Sequence, residues 1–265
     1  MIILTTAIFA LILAFALGFA LGFFKKIFAV EQDPLVEQIR ECLPSANCGA
    51  CGFPGCDGYA VAVAAKEADI DKCSVGGQAV ADKLAALVGG SAKMTPEVAV
   101  IACQGSKECA PLKGEYTGLA TCRGAQVSLS GVKLCAWSCI GFGDCVNVCK
   151  FGALSMGAHG LPVVDWEKCT GCKACVAECP KGVILATPKD ARGAIALCSN
   201  RNTVKFQVLK TCKVGCIKCN ACVKACPDGC IVLEDGVPKV DYAKCSSCGA
   251  CVGKCPRKVM KLLPL

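Results

Sequence analysis

Hydrophobic and polar positions divide this chain into unequal regimes. From Ile2 to Phe24 no side chain is charged, and Lys25 and Lys26 follow at once. As a helix rising ~1.5 Å per residue, that run reaches about 34 Å, enough to cross a hydrocarbon core of ~30 Å. A cleaved signal peptide is the competing reading. Against it, the stretch is too long for an h-region, no Lys or Arg precedes it, and no A-x-A site follows. We therefore expect a single transmembrane helix over residues 1–26 in the cell (inner, cytoplasmic) membrane. The lysines behind it put the rest of the chain on the cytoplasmic side. Ala14, Gly18 and Gly22 form a small-xxx-small stripe along which another membrane helix could approach.

Beyond the polar connector Val30–Pro34, periodicity turns amphipathic. Asp33 is the expected N-cap and Pro34 the first helical residue. Tyr59–Ala68 and Gln78–Val88, Ala-rich with spaced Val and Leu, predict helices, and Gly89–Gly90–Ser91 closes a small domain over 35–90. A connecting segment, 97–132, follows. Val98–Cys103 and Gly193–Cys198 read as buried strands, each ending in a Cys. Short strands are expected at Leu161–Asp165 and Val237–Asp241, with the apolar tails Gly182–Leu185 and Lys258–Leu263 as their partners.

From Lys133 the pattern repeats. Lys133–Met156 lies on Lys210–Leu233 without a gap, and Gly160–Ile184 lies on Gly236–Met260 after one residue of slippage. An internal repeat governs the fold reading. The expected class is α+β: a membrane helix, a small α-rich domain, and two tandem modules over 133–188 and 193–265.

Cysteine chemistry explains the repeat. The chain has 265 residues, 27 of them Cys, and one His. The runs Cys169–Pro180, Cys216–Pro227 and Cys245–Pro256 each read C-x2-C-x2-C-x3-C-P. This is the ligand pattern of bacterial two-cluster ferredoxins, in which the fourth Cys ligates the other cluster. Zinc ribbons instead pair two C-x2-C knuckles across a longer loop. The thiols must stay reduced, which agrees with the cytoplasmic placement. The formal charge of +8 counts each Cys as neutral. Five four-thiolate 4Fe–4S sites contribute about −10, so the sum is about −2. The basic excess thus offsets buried clusters, and no nucleic-acid partner is expected.

At least five 4Fe–4S clusters are expected, with a sixth left open. In the small domain, Cys48, Cys51, Cys56 and Cys73 are interleaved by Gly49, Gly52 and Gly55, which let the backbone wrap closely around an inorganic core. Zinc competes for these four, but the neighbouring motifs favour iron–sulfur. The second module should use Cys216, Cys219, Cys222 and Cys255 for one cluster and Cys245, Cys248, Cys251 and Cys226 for the other. In the first module, Cys169, Cys172 and Cys175 should combine with Cys149. Its remaining site departs from pattern: Phe142 stands opposite Cys219, and Lys150 replaces the usual Pro. Cys139, Cys145 and Cys179 remain, with Cys135 as the nearest substitute; a three-iron cluster or a ligand from elsewhere are the alternatives. Cys103, Cys122, Cys198 and Cys212 could hold a sixth cluster or stay as buried free thiols. Cys42, Cys109 and Cys230 read as structural, and His159 as exposed.

The run Asn47–Ala60 (N-C-G-A-C-G-F-P-G-C-D-G-Y-A), behind one apolar helix and ahead of ferredoxin motifs, resembles the B subunit of Rnf electron-transport complexes. Cys139–Cys149 (C-I-G-F-G-D-C-V-N-V-C) resembles its longer, cluster-rich forms. The resemblance implies that reduced soluble ferredoxin docks here and that electrons pass to other Rnf membrane subunits, with flow coupled to Na+ or H+ translocation. It also implies that Cys48, Cys51, Cys56 and Cys73 bind the cluster nearest the membrane. No P-loop, G-x-G-x-x-G or Ser/His/Asp arrangement is present, so no complete active site is expected on this chain alone. A polyferredoxin adaptor for a hydrogenase or carbon monoxide dehydrogenase, without ion coupling, is the alternative. A structural zinc protein is a third reading.

Overall fold

The computed structural model describes residues 2–27 and 33–265. Helix α1 (Ile2–Ile27) carries the span Leu4–Phe24, none of it buried against the rest of the chain, and it is long and apolar enough to cross a membrane. The start of the connector expected at Val30–Pro34 lies outside the described residues.

Helix α2 (Pro34–Cys42) opens as its cap predicts: Leu35 N–H donates to Asp33 Oδ1 at 2.8 Å, with Pro34 behind it. Helix α3 (Gly55–Ala64) begins four residues before the expected start. The periodicity could not reveal the reason: Asn47 Oδ1 accepts from Cys56 N–H at 2.8 Å and so fixes the first turn from a distant loop. Its end also comes earlier than expected, where Lys66 turns left-handed (φ 59°). Helix α4 (Gly77–Val88) stops at Gly89, whose φ of 80° suits glycine. Ile39, Tyr59, Val63 and Leu84 form the core of this small domain, and Tyr59 Oη donates to Asp69 O at 2.8 Å.

The rest is built from four two-stranded antiparallel sheets and short helices. The first module contains β1 (Glu97–Ile101), α5 (Cys122–Leu129), α6 (Asp144–Asn147), β2 (Leu154–Met156), β3 (Pro162–Val164), α7 (Ala174–Glu178) and β4 (Ile184–Pro188). The second contains β5 (Gly193–Ala196), α8 (Lys205–Thr211), α9 (Ala221–Lys224), β6 (Ile231–Glu234), β7 (Val237–Val240), α10 (Ala250–Gly253) and β8 (Met260–Leu263).

Strand pairing differs from the expectation. β3 pairs with β2 and β7 with β6, as local hairpins. The apolar tails instead pair with the Cys-terminated runs: Val100 stands opposite Leu185, and Ala194 opposite Leu262. The physical reason is burial. β5 is buried at every position and β1 at its three central ones, so each needs an equally apolar partner, whereas β3 and β7 are only partly buried.

The loop between Cys169 and Cys172 is pinned against the start of β1. Gly171 has φ +67°, and a Cβ there would stand 2.5 Å from the carbonyl oxygen of Glu97. Lys173 and Glu97 form an ion pair beside it. Gly171→Ala is expected to cost about 2 kcal/mol or more, because left-handed strain alone is ~1–2 kcal/mol. The check is the midpoint of thermal bleaching of the iron-loaded chain; an unchanged midpoint would show that the loop is not so constrained.

Candidate metal centres

Four similar small cavities are each lined by four cysteines. The glycine-cysteine loop of the small domain brings together Cys48, Cys51, Cys56 and Cys73. Burial pushes the Cys73 thiol up, and Cys56, Cys48 and Cys51 add to it. In the first module, Cys149 joins Cys169, Cys172 and Cys175. Here burial, then Cys172 and Cys169, push Cys175 up to about 12. In the second module, Cys255 joins Cys216, Cys219 and Cys222, and Cys222 is pushed up to about 11, by burial first and then by Cys216.

These shifts share one meaning. A buried thiolate among other thiolates is unfavourable until a cation neutralises it, and an iron–sulfur core does so. Each donor set is four sulfurs; Asp144, the one carboxylate residue in the four linings, is engaged by the N–H groups of Cys122 and Arg123. They therefore fit iron–sulfur clusters.

The irregular site takes a different fourth sulfur from the one expected. Its cavity is lined by Cys122, Cys139, Cys145 and Cys179, and Cys135 is not among them. Burial, then Cys122 and Cys179, push Cys145 up to about 11. The neighbouring sequence explains the delivery of Cys122. Thr121 caps α5 by accepting from Gly124 N–H at 3.0 Å. Asp144, at the head of α6, accepts from Cys122 N–H at 2.9 Å and from Arg123 N–H at 3.1 Å, which docks the helix start on the cluster loop. Phe142, standing where the repeat has a ligand, packs against Tyr116 at 5.6 Å between ring centres and shares an apolar cluster with Cys122. The residue that removes one sulfur thus anchors the segment that supplies another. Sequence reading missed this because residue 122 lies outside the aligned repeat.

The last motif places Cys245, Cys251 and Cys226 together: burial raises the Cys251 thiol, followed by Cys245 and Cys226. Cys248, on the same loop, is exposed. Cys230 is buried beside them, its sulfur 3.3 Å from that of Cys226, and burial pushes it up to about 12. The remaining sequence candidates Cys103, Cys198 and Cys212 gather with Cys135, apart from Cys122. Cys42 packs at the edge of the small-domain core, and His159 is exposed.

Lys150 also has a role that the repeat does not show. Its Nζ donates to Asn47 O at 3.0 Å, tying the first module to the loop that leads into Cys48. Cys51 and Cys172 line one shared polar crevice of about 430 Å³.

Residues 43–75 match the family described as "Putative Fe-S cluster". Residues 138–183, 168–231 and 215–260 match families described as "4Fe-4S dicluster domain". The chain is 43% identical over 221 residues to the B subunit of the Na(+)-translocating ferredoxin:NAD(+) oxidoreductase complex of Acetobacterium woodii, covering 83% of this chain and 66% of that one. It is 39% identical over 238 residues to the B subunit of the ion-translocating oxidoreductase complex of Methanosarcina acetivorans, covering 89% of both. It is also 39% identical over 222 residues to the B subunit of the proton-translocating ferredoxin:NAD(+) oxidoreductase complex of Clostridium ljungdahlii, covering 83% of this chain and 78% of that one.

The cavity geometry leads to crosswise effects. Cys122→Ala is expected to remove the cluster signal next to Cys179, and Cys255→Ala the one held by Cys216, Cys219 and Cys222. Iron content and EPR of the reduced full chain check both. Loss of the cluster held by Cys245, Cys248 and Cys251 in Cys255→Ala, in place of its neighbour's, would overturn the assignment.

Proposed function

Because the chain belongs to the family of B subunits of Rnf-type ion-translocating oxidoreductase complexes, we propose that it accepts electrons from reduced soluble ferredoxin. It relays them to the membrane subunits of a complex that moves Na+ or H+. At the coarser level it is an iron–sulfur electron-transfer subunit of an ion-translocating complex.

The observation that carries the proposal is the contiguity of the cysteine groups. Cys51 and Cys172 share a crevice, so the small-domain group lies beside the first group of the first module. Within that module, Cys145 and Cys175 pack in one buried cluster, linking its two groups. In the second module, Cys216, Cys222, Cys226, Cys245, Cys251 and Cys255 all pack on one core. Electrons tunnel efficiently only over short gaps, and the adjacency of sites within each module, and of the small domain to the first module, supports that reading.

A 4Fe–4S cluster, when bound, supplies one-electron uptake and release. The chain's own residues do the rest. Twenty cysteines hold five such sites: the four lined cavities and the group of Cys226, Cys245, Cys248 and Cys251. Val183, Ile184, Val259 and Met260 close the cavity walls against water. Backbone N–H groups turn toward ligand sulfurs, as Val259 N–H does toward Cys255 Sγ at 3.3 Å, and such bonds tune potential. The exposure of Cys219 and Cys248 supports the second module as the end that an external donor approaches. Helix α1 would hold the small domain near the membrane, with all soluble parts on the cytoplasmic side.

In the assembled complex, deletion of residues 97–265 with the tether and small domain retained is expected to abolish ferredoxin-dependent electron flow. Rapid reduction of the downstream centres by reduced ferredoxin is the readout. Flow persisting at the full-length rate would exclude the relay.

A further inference from the structure

Four cysteines that none of these five sites uses lie where the two modules meet. Two come from each half of the repeat. Cys103 follows β1 and Cys198 follows β5, and the two face each other as an antiparallel bridge pair. Cys135 and Cys212 occupy equivalent positions of the repeat. A Cβ built on Gly105 would stand 3.5 Å from Cys103 Sγ and 3.8 Å from Cys212 Sγ. At the corresponding position of the other half, Asn200, itself buried, donates through Nδ2 to Cys135 Sγ at 3.4 Å.

The polar surroundings repeat with the same two-fold logic. Cys139 N–H donates to Cys103 Sγ and Cys216 N–H to Cys198 Sγ, each at 3.4 Å. Backbone N–H groups of Trp137 and Val214 serve Cys135 and Cys212, and Gly105 N–H adds a second bond to Cys103 at 3.4 Å. A protonated thiol is a weak acceptor, so N–H groups aimed at all four sulfurs suit thiolates.

Two ammonium groups flank the sulfurs. Lys133, 2% exposed, holds its Nζ on the carbonyls of Gly105 (2.7 Å) and Cys139 (2.8 Å). Lys218 binds the equivalent carbonyls, those of Asn200 and of Cys216 (3.0 Å). Four thiolates and two ammonium groups sum to about −2, which a 4Fe–4S core of about +2 balances.

We infer that Cys103, Cys135, Cys198 and Cys212 form a further 4Fe–4S site on the pseudo-two-fold between the modules, and that this site joins their two electron paths. Its neighbours fit that role: Cys139 belongs to the irregular cavity of the first module and Cys216 to the first cavity of the second. One electron enters as the second-module centre is oxidised and leaves as the first-module centre is reduced; no bond forms or breaks. A single zinc ion would draw four sulfurs to about 3.8 Å from one another. Among the described residues, the one group of three or more ligand atoms all lying within 4.8 Å is Cys226, Asp228 and Cys230. The sulfurs at the seam are spread more widely, as a cluster requires.

The inference rests on the relay reading, and iron counting separates the two. Full-length chain purified anaerobically is expected to hold about 24 iron atoms and no zinc. About 20 iron atoms, with or without one zinc, would overturn the sixth site and leave the relay standing; an iron-free chain would remove both. Cys212→Ser is expected to lose about four iron atoms and one EPR signal, and unchanged iron would overturn the site. Should that variant fail to fold, Asn200→Ala decides alongside the wild-type count. It removes a bond to one ligand sulfur, so one centre should shift its midpoint potential with iron retained. Midpoints that all stay unmoved would overturn the assignment.

Discussion

Thiolates cannot be buried in groups of four without a cation among them, and this constraint organises the molecule. The two modules have cores rich in cysteine. Their four sheets have two strands each, a size that is marginal by itself in water. Cysteines make up much of the packed interior: Cys139, Cys145 and Cys175 in one cluster, and Cys198, Cys222, Cys230 and Cys251 in another. Clusters bound in these groups would take the place that leucines fill elsewhere. Metal binding and folding become one event.

The same constraint explains why departures from the repeat come in matched pairs. Losing a ligand at position 142 would leave three thiolates around a site built for four. Phe142 offsets that loss indirectly, because its ring and Tyr116 seat the segment ending in Cys122. Asp144 completes the seat through the start of α5. Lys150 gives up the helix-stopping proline and gains a contact with the small domain. Each change ties the first module to a neighbouring part of the chain.

Much of the fold and the grouping of three cysteine sets were legible in the sequence, for a physical reason. Ligands to one cluster sit two or three residues apart, so their grouping is written locally, and the crossing fourth Cys follows from the motif. The cap at Asp33 was legible for the same local reason. What escaped was non-local. The pairing of β4 with β1 and of β8 with β5 depends on which strands are buried on both faces, not on their adjacency. The place of Cys122 in the irregular cavity, where Cys135 was expected, goes with a hydrogen bond across 22 positions of sequence, from Cys122 N–H to Asp144. Spacing arguments choose the nearest sulfur along the chain; folding chooses the nearest in space.

The bridge pair of Cys103 and Cys198 has a consequence for how such a chain can change over time. Halves related by a two-fold could equally be separate, identical polypeptides, each giving two sulfurs to a shared junction. In such a homodimer every substitution occurs twice, so a phenylalanine at the ligand position would cripple both copies. Joining the halves in one polypeptide removes that restriction. One copy keeps the regular motif while its twin becomes free to specialise as the neighbour of the small domain.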